Sequence, residues 1–289
     1  MNASHATRIA FPAATAGAGV RCLAAASWVL LLALVACTTT TRSTSVPVAA
    51  PDPSKDRITA SDEPDADRRA RVRLELAGAY FGRGQMTTAL DEVKLAIAAN
   101  PNLAAAFNLR GLVYASLGEH PLAEESFRRA LQLDPRDADS MQNYGWYLCQ
   151  LQRYAEAQQL FAKALAIPQY LDAPRTLLTQ GICFARQNQL PAAEASLRRA
   201  FELEPANPSI AVNLADVLYR RGGYERARSL MRPLNANPDI SNAQTLWLAT
   251  RIERRLGNAQ GTQALGKQLR DRFPHSPETA ALDQGQFDE

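Results

Sequence analysis

Histidine is scarce in this chain, and its three copies, His5, His120 and His275, have no cysteine or carboxylate at metal-ligand spacing. Ser126 and Ser196 lack the strand-turn-helix setting of a nucleophile elbow, and no glycine-rich phosphate loop opens a helix. The expectation is a protein without enzymatic activity, metal, cofactor or small-molecule substrate. Charge is also nearly balanced, 32 basic against 29 acidic residues for a net +3, and no basic stripe is interleaved with aromatics. Nucleic-acid binding is therefore not expected. No apolar run reaches the roughly 20 residues a membrane-spanning helix needs. The hydrophobic share of 46% and charged share of 21% are ordinary for a globular body.

The chain does contain a recurring unit of about 34 residues with small, bulky and proline positions at fixed offsets, the tetratricopeptide spacing. Phe107, Gly111, Tyr114, Ala123, Phe127, Ala130 and Pro135 mark the cleanest copy. Residues 70–103, 104–137, 138–173, 174–207, 208–242 and 243–274 make six such units, with the last two more divergent, as terminal repeats are. Each unit implies two antiparallel helices, the small residues letting the backbones approach around the bulky ones. Gly84, Gly118, Gln152, Asn188, Gly222 and Gly257 fall where left-handed C-caps end the first helices, and Asn207 before Pro208 reads as an N-cap. The fold expected is an all-α, right-handed superhelical solenoid of six helix pairs, twelve helices over 70–274, followed by a tail over 275–289. Pro168 and Pro174 place an inserted loop between the third and fourth units, Pro233 is expected to interrupt the second helix of the fifth, and Gly261 and Gly266 to weaken that of the sixth.

At the N-terminus, Leu23 to Val35 is an apolar run of 13 residues behind Arg21, the size of a secretory h-region. It ends in Leu34-Val35-Ala36-Cys37, which looks like a bacterial lipobox. The reading is a signal peptide over 1–36 and lipidation of Cys37, where several acyl chains on one residue bind a membrane stably. Thr38, in place of aspartate, favours the outer membrane. The remainder of 37–69, rich in Thr, Ser, Pro, Ala and Asp, reads as a disordered tether.

Cys149 and Cys183 fall in the first helices of neighbouring repeats. Their spacing leaves two readings open, a bridge in an oxidising compartment or two buried small hydrophobes. Around them the sequence is distinctive: Asn143-Tyr144-Gly145-Trp146-Tyr147-Leu148-Cys149, then Gly181-Ile182-Cys183, Leu246-Trp247-Leu248 and Arg272-Phe273-Pro274. These segments, with the lipobox and six repeats, resemble the PilF/PilW family of type IV pilus outer-membrane lipoproteins. The resemblance implies that the two cysteines are paired. It also implies a pilotin role: a lipid-anchored protein on the periplasmic face that helps the pilus secretin reach the outer membrane and multimerise, supporting pilus stability and twitching. An adaptor for cell-wall hydrolases or envelope assembly factors is the alternative.

First helices line the groove of such a superhelix. The groove positions are Leu74 and Phe81, Asn108 and Leu112, Gln142 and Trp146, Leu178 and Ile182, then Val212 and Tyr219. Their apolar character suits a hydrophobic or amphipathic protein segment better than a charged terminus.

Overall fold

A computed structural model describes residues 65–287, and within them the chain forms thirteen α-helices and no strand. Cys37, the signal peptide and most of the tether lie outside these residues. The helices pair as α1 (Asp65–Gly82) with α2 (Met86–Ala99), α3 (Ala104–Leu117) with α4 (His120–Leu133), and α5 (Ala138–Gln150) with α6 (Tyr154–Leu165). The series continues with α7 (Ala173–Arg186) and α8 (Leu190–Leu203), α9 (Pro208–Arg220) and α10 (Tyr224–Ala236), and α11 (Ala243–Arg255) and α12 (Ala259–Arg272), and it closes on α13 (Pro277–Asp283).

The pairing rests on glycines facing bulky residues. A Cβ on Gly111 would fall 2.7 Å from the ring of Phe127, and one on Gly145 would fall 2.8 Å from that of Phe161. Gly181 stands against Leu197 in the same way, and all three bulky side chains are fully buried. Sharp turns then reverse the chain. Gly84, Gly118, Gly222 and Gly257 have φ between 72° and 80°, and Gln152 and Asn188 take the same left-handed conformation at 60° and 58°. At Gly118 the turn closes with Glu119 N donating to the Tyr114 carbonyl at 2.9 Å, which satisfies a carbonyl the helix end leaves open. Asn207 caps α9, accepting from Ser209 N at 3.0 Å and Ile210 N at 3.4 Å, with Pro208 in the first turn. In the inserted loop, the Tyr170 hydroxyl reaches Asp139 at 3.2 Å and Thr176 at 3.1 Å, tying the loop to α5 and α7.

First helices of successive pairs touch, α3 with α5, α5 with α7, α7 with α9 and α9 with α11. Successive second helices have no such backbone approach among the described residues. A row packed tightly on one side and spread on the other must curve, so the first helices form the inner face.

Three expectations need correction. Residues 65–69, expected within the disordered tether, are helical and form the start of α1. α10 runs through Pro233 to Ala236. Pro233 is exposed in the last turn, where its ring meets solvent and few helical hydrogen bonds remain to lose. In α12, a Cβ on Gly266 would meet Leu282 at 3.2 Å, so this glycine admits α13. The stretch after Pro274 is therefore not a plain tail. Ser276 caps α13, and Phe287 folds back on Trp247 with ring centroids 5.2 Å apart, covering Leu246 and Leu269.

Candidate partner-binding surface

The inner face is assembled from one side of α1, α3, α5, α7, α9 and α11. Of the residues expected there, Leu74, Phe81, Asn108, Leu112, Trp146, Leu178, Ile182 and Val212 are half-buried, as side chains on a concave wall are. Leu74 also packs on Ala77, Val93, Ala96 and Ala106, so it serves the core of the first repeat as well. Gln142 and Tyr219 are instead buried, at 5% and 7% exposure. The Gln142 amide donates to Thr179 Oγ1 at 3.3 Å, bridging α5 to α7. The Tyr219 ring is covered by the Arg251 guanidinium at 4.7 Å, and its hydroxyl accepts from Arg255 Nε at 3.4 Å. A polar group one helix away draws both side chains into a junction between repeats.

Cations on this face lie over aromatics. The Arg186 guanidinium sits 4.7 Å above the Trp146 ring, an arrangement that leaves the indole partly masked. Half-buried Asp216 has its carboxyl pushed up by burial, with Arg220 and Arg251 offsetting part of that effect. The groove thus carries a guanidinium over a ring at Trp146 and at Tyr219, while its N-terminal end, at Leu74, Phe81 and Leu112, is more apolar.

On the opposite side the repeats are stapled by ion pairs. Arg153 Nη1 of the third repeat donates to Glu124 Oε2 of the second at 2.9 Å, and the Tyr144 hydroxyl donates to Glu124 Oε1 at 3.0 Å. Burial opposes ionisation of Glu124, but the hydrogen bonds from Arg153 and Tyr144 outweigh it and hold the carboxyl below its ordinary value. Tyr144 is pushed up to about 12, first by burial and then by the neighbouring carboxylate. Between the fourth and fifth repeats, Glu194 pairs with Arg221 and with Arg226 at 2.8 Å. Its carboxyl is lowered because the two guanidinium groups overcome burial. Between the fifth and sixth repeats the polarity reverses: Arg228 of α10 meets Glu253 of α11 at 2.5 Å, and the hydrogen bond from Arg228 lowers the Glu253 carboxyl.

The junction between the third and fourth repeats is built differently. Cys149 of α5 and Cys183 of α7 are joined by a disulfide, their Cα atoms 6.0 Å apart and both residues buried. Among the described residues no group of three or more His, Cys, Asp or Glu side chains could hold a metal ion, and no helix is long and apolar enough to cross a membrane.

Paired helices and an inner wall of half-buried side chains define a tetratricopeptide-repeat solenoid. Tetratricopeptide-repeat family models match residues 102–169 and 184–246. The type IV pilus assembly protein PilF of Pseudomonas aeruginosa is 29% identical over 214 residues, covering 74% of this chain and 84% of PilF. A crystal structure of PilW, a widely conserved type IV pilus biogenesis factor, is 33% identical with a TM-score of 0.68, covering 74% of this chain and 97% of PilW. The structure of Pseudomonas aeruginosa PilF superposes with the same TM-score at 26% identity, covering 77% of this chain and all of that one. The chain belongs to the PilF/PilW family of tetratricopeptide proteins of type IV pilus biogenesis.

Proposed function

We propose that the protein is a non-enzymatic scaffold, anchored to the outer membrane through acylated Cys37, that captures a segment of the type IV pilus secretin and assists its multimerisation at the periplasmic face. Family membership supports the pilus context. The observation that carries the partner's chemistry is the half-buried apolar row on the first helices, Phe81, Leu112, Leu178, Ile182 and Val212. A hydrophobic or amphipathic segment gains by covering such a row, whereas a charged chain terminus would meet few polar partners in its N-terminal half.

Phe81 and Ile182 are the positions to test, because neither belongs to a buried core cluster, whereas Leu74 does. Cells carrying Phe81→Glu with Ile182→Glu are expected to lose heat-resistant secretin multimers and then surface pili, with the purified variant keeping its helical circular dichroism. Normal multimers and pili in that strain would overturn the proposal.

A further inference from the structure

The last turn of each first helix carries one inner-face residue at the same register of its repeat. The six are Gly82, Ser116, Gln150, Arg186, Arg220 and Arg255, uncharged in the first three repeats and arginine in the last three. A cation in the last turn complements the helix dipole, but that effect acts equally on all six helices and does not explain the division.

The other charges on α7, α9 and α11 widen the difference. Arg175 is taken up by Asp139 and Asp172, and Glu253 by Arg228 on the outer side. What remains on these three helices is Arg186, Arg220, Arg251, Arg254 and Arg255, with Asp216 the one acidic residue. Asp216 lies 3.9 Å from Arg220, and burial pushes its carboxyl up, toward the neutral form. The other partners of Arg186, Arg220, Arg251 and Arg254 among the described residues are neutral. Arg186 stands over Trp146 at 4.7 Å and Arg254 over Phe287 at 4.0 Å. Arg251 covers Tyr219 and donates to the Phe287 carbonyl at 3.1 Å. Arg220 donates to the Ala185 carbonyl at 3.1 Å and to Asn188 Oδ1 at 3.3 Å. Ring faces and carbonyls orient a guanidinium without cancelling its charge, and they leave N–H groups of its fork to meet an anion. Arg186, Arg220 and Arg254 are exposed.

We propose that the inner face of the last three repeats is a recognition surface for an acidic, extended segment of a protein partner, with Arg186, Arg220 and Arg254 receiving its carboxylates. It is distinct from the apolar capture at Phe81 and Leu112 and requires nothing of the secretin. α7, α9 and α11 pack on one another in series. Packed helices lie about 8–10 Å apart and an extended chain advances about 3.3 Å per residue, so a carboxylate at every third position matches one arginine per repeat.

The test uses the full chain with isotope-labelled arginines, followed by NMR at low salt. Three peptides are compared: acetyl-Asp-Ser-Gly-Asp-Ser-Gly-Asp-amide, the same peptide with asparagine for aspartate, and acetyl-Ser-Gly-Asp-Asp-Asp-Ser-Gly-amide, of equal charge. The spaced acidic peptide is expected to shift the Arg186, Arg220 and Arg254 side-chain resonances saturably and to bind more tightly than the clustered one, and the asparagine peptide is not expected to bind. Arg186→Gln with Arg220→Gln is expected to weaken binding about tenfold, and Arg186→Lys with Arg220→Lys, which keeps the charge, by less than about threefold. Arg186→Gln alone, expected to weaken binding about threefold, serves if the double variant does not fold. Arg198→Gln with Arg199→Gln, exposed on α8, is the control and is expected to leave binding unchanged. No binding of the spaced peptide, equal affinity for the asparagine or the clustered peptide, unchanged binding in the glutamine variants, an equal loss in the α8 control, or the same shifts from inorganic phosphate at equal charge would each overturn the proposal.

Discussion

Arg153 reaches from the third repeat back to Glu124 of the second, 2.9 Å away, and so converts two neighbouring repeats into one electrostatic unit. Glu194 and Glu253 take part in equivalent links further along the solenoid. Because a solenoid is stabilised by its interfaces as much as by its units, such links set how far unfolding of one repeat spreads to the next.

These carboxylates make stability pH-dependent with a definite sign. Each is lowered in the folded state relative to an ordinary glutamate near 4.5, so its contribution is present above that value and lost as pH falls through the lower folded pKa. Urea unfolding measured from about pH 7 down to about pH 3 is expected to show stability declining below 4.5, and declining less steeply in a variant with Gln at 124, 194 and 253. Glu124→Gln alone is expected to cost about 1–3 kcal/mol near neutrality, since it leaves Arg153 and Tyr144 short of a partner. An unchanged acid slope in the triple variant would remove these residues as its source.

Glycines in first helices divide into two kinds. Gly145→Ala forces a Cβ to within 2.8 Å of the buried Phe161 ring, an overpacking expected to cost about 1–3 kcal/mol. Gly78→Ala in α1 meets nothing within 4 Å and is expected to stabilise by up to about 1 kcal/mol through helix propensity. Thermal unfolding of the two variants should therefore move in opposite directions.

Gln158 occupies in the third repeat the position that Glu124, Glu194 and Arg228 occupy in theirs, yet both atoms of its amide are buried without a hydrogen-bond partner. Leu90 stands at the same position in the first repeat, packed against its core. Gln158→Leu is expected to be neutral or to stabilise by about 1 kcal/mol, because it removes an unsatisfied amide and keeps the volume. A loss of more than about 1 kcal/mol in denaturant unfolding would show that the amide has a partner.

The same junction carries the Cys149–Cys183 disulfide, which closes a loop of sequence separation 34. Cys149→Ala with Cys183→Ala is expected to lower stability by about 2–4 kcal/mol, and chiefly to uncouple the first three repeats from the last three. Hydrogen exchange checks this, with protection falling most in α5 to α8; uniform loss across all repeats would contradict it.

Much of the solenoid was readable in the residues because its rules are steric and local. Gly111 opposite Phe127 and the six left-handed turns follow from where a Cβ fits, and the fixed offsets announce them. α13 was missed because a single capping helix of seven residues repeats nothing. Pro233 misled because a proline's effect depends on how many turns follow it. The apolar residues expected on the inner face are half-buried, but Gln142 and Tyr219 were drawn into inter-repeat contacts by Thr179, Arg251 and Arg255, partners about 32 to 37 residues away that spacing does not reveal. The Glu124–Arg153 staple escaped for the same reason.

The most direct test of the account places a photo-crosslinking amino acid at Ile182 on the inner face and, as a control, at exposed Arg199 on α8, in cells assembling pili. The account predicts a covalent adduct with the pilus secretin from position 182 and none from 199. Adducts from 199 alone, or multimeric secretin assembled with no adduct at 182, would contradict it.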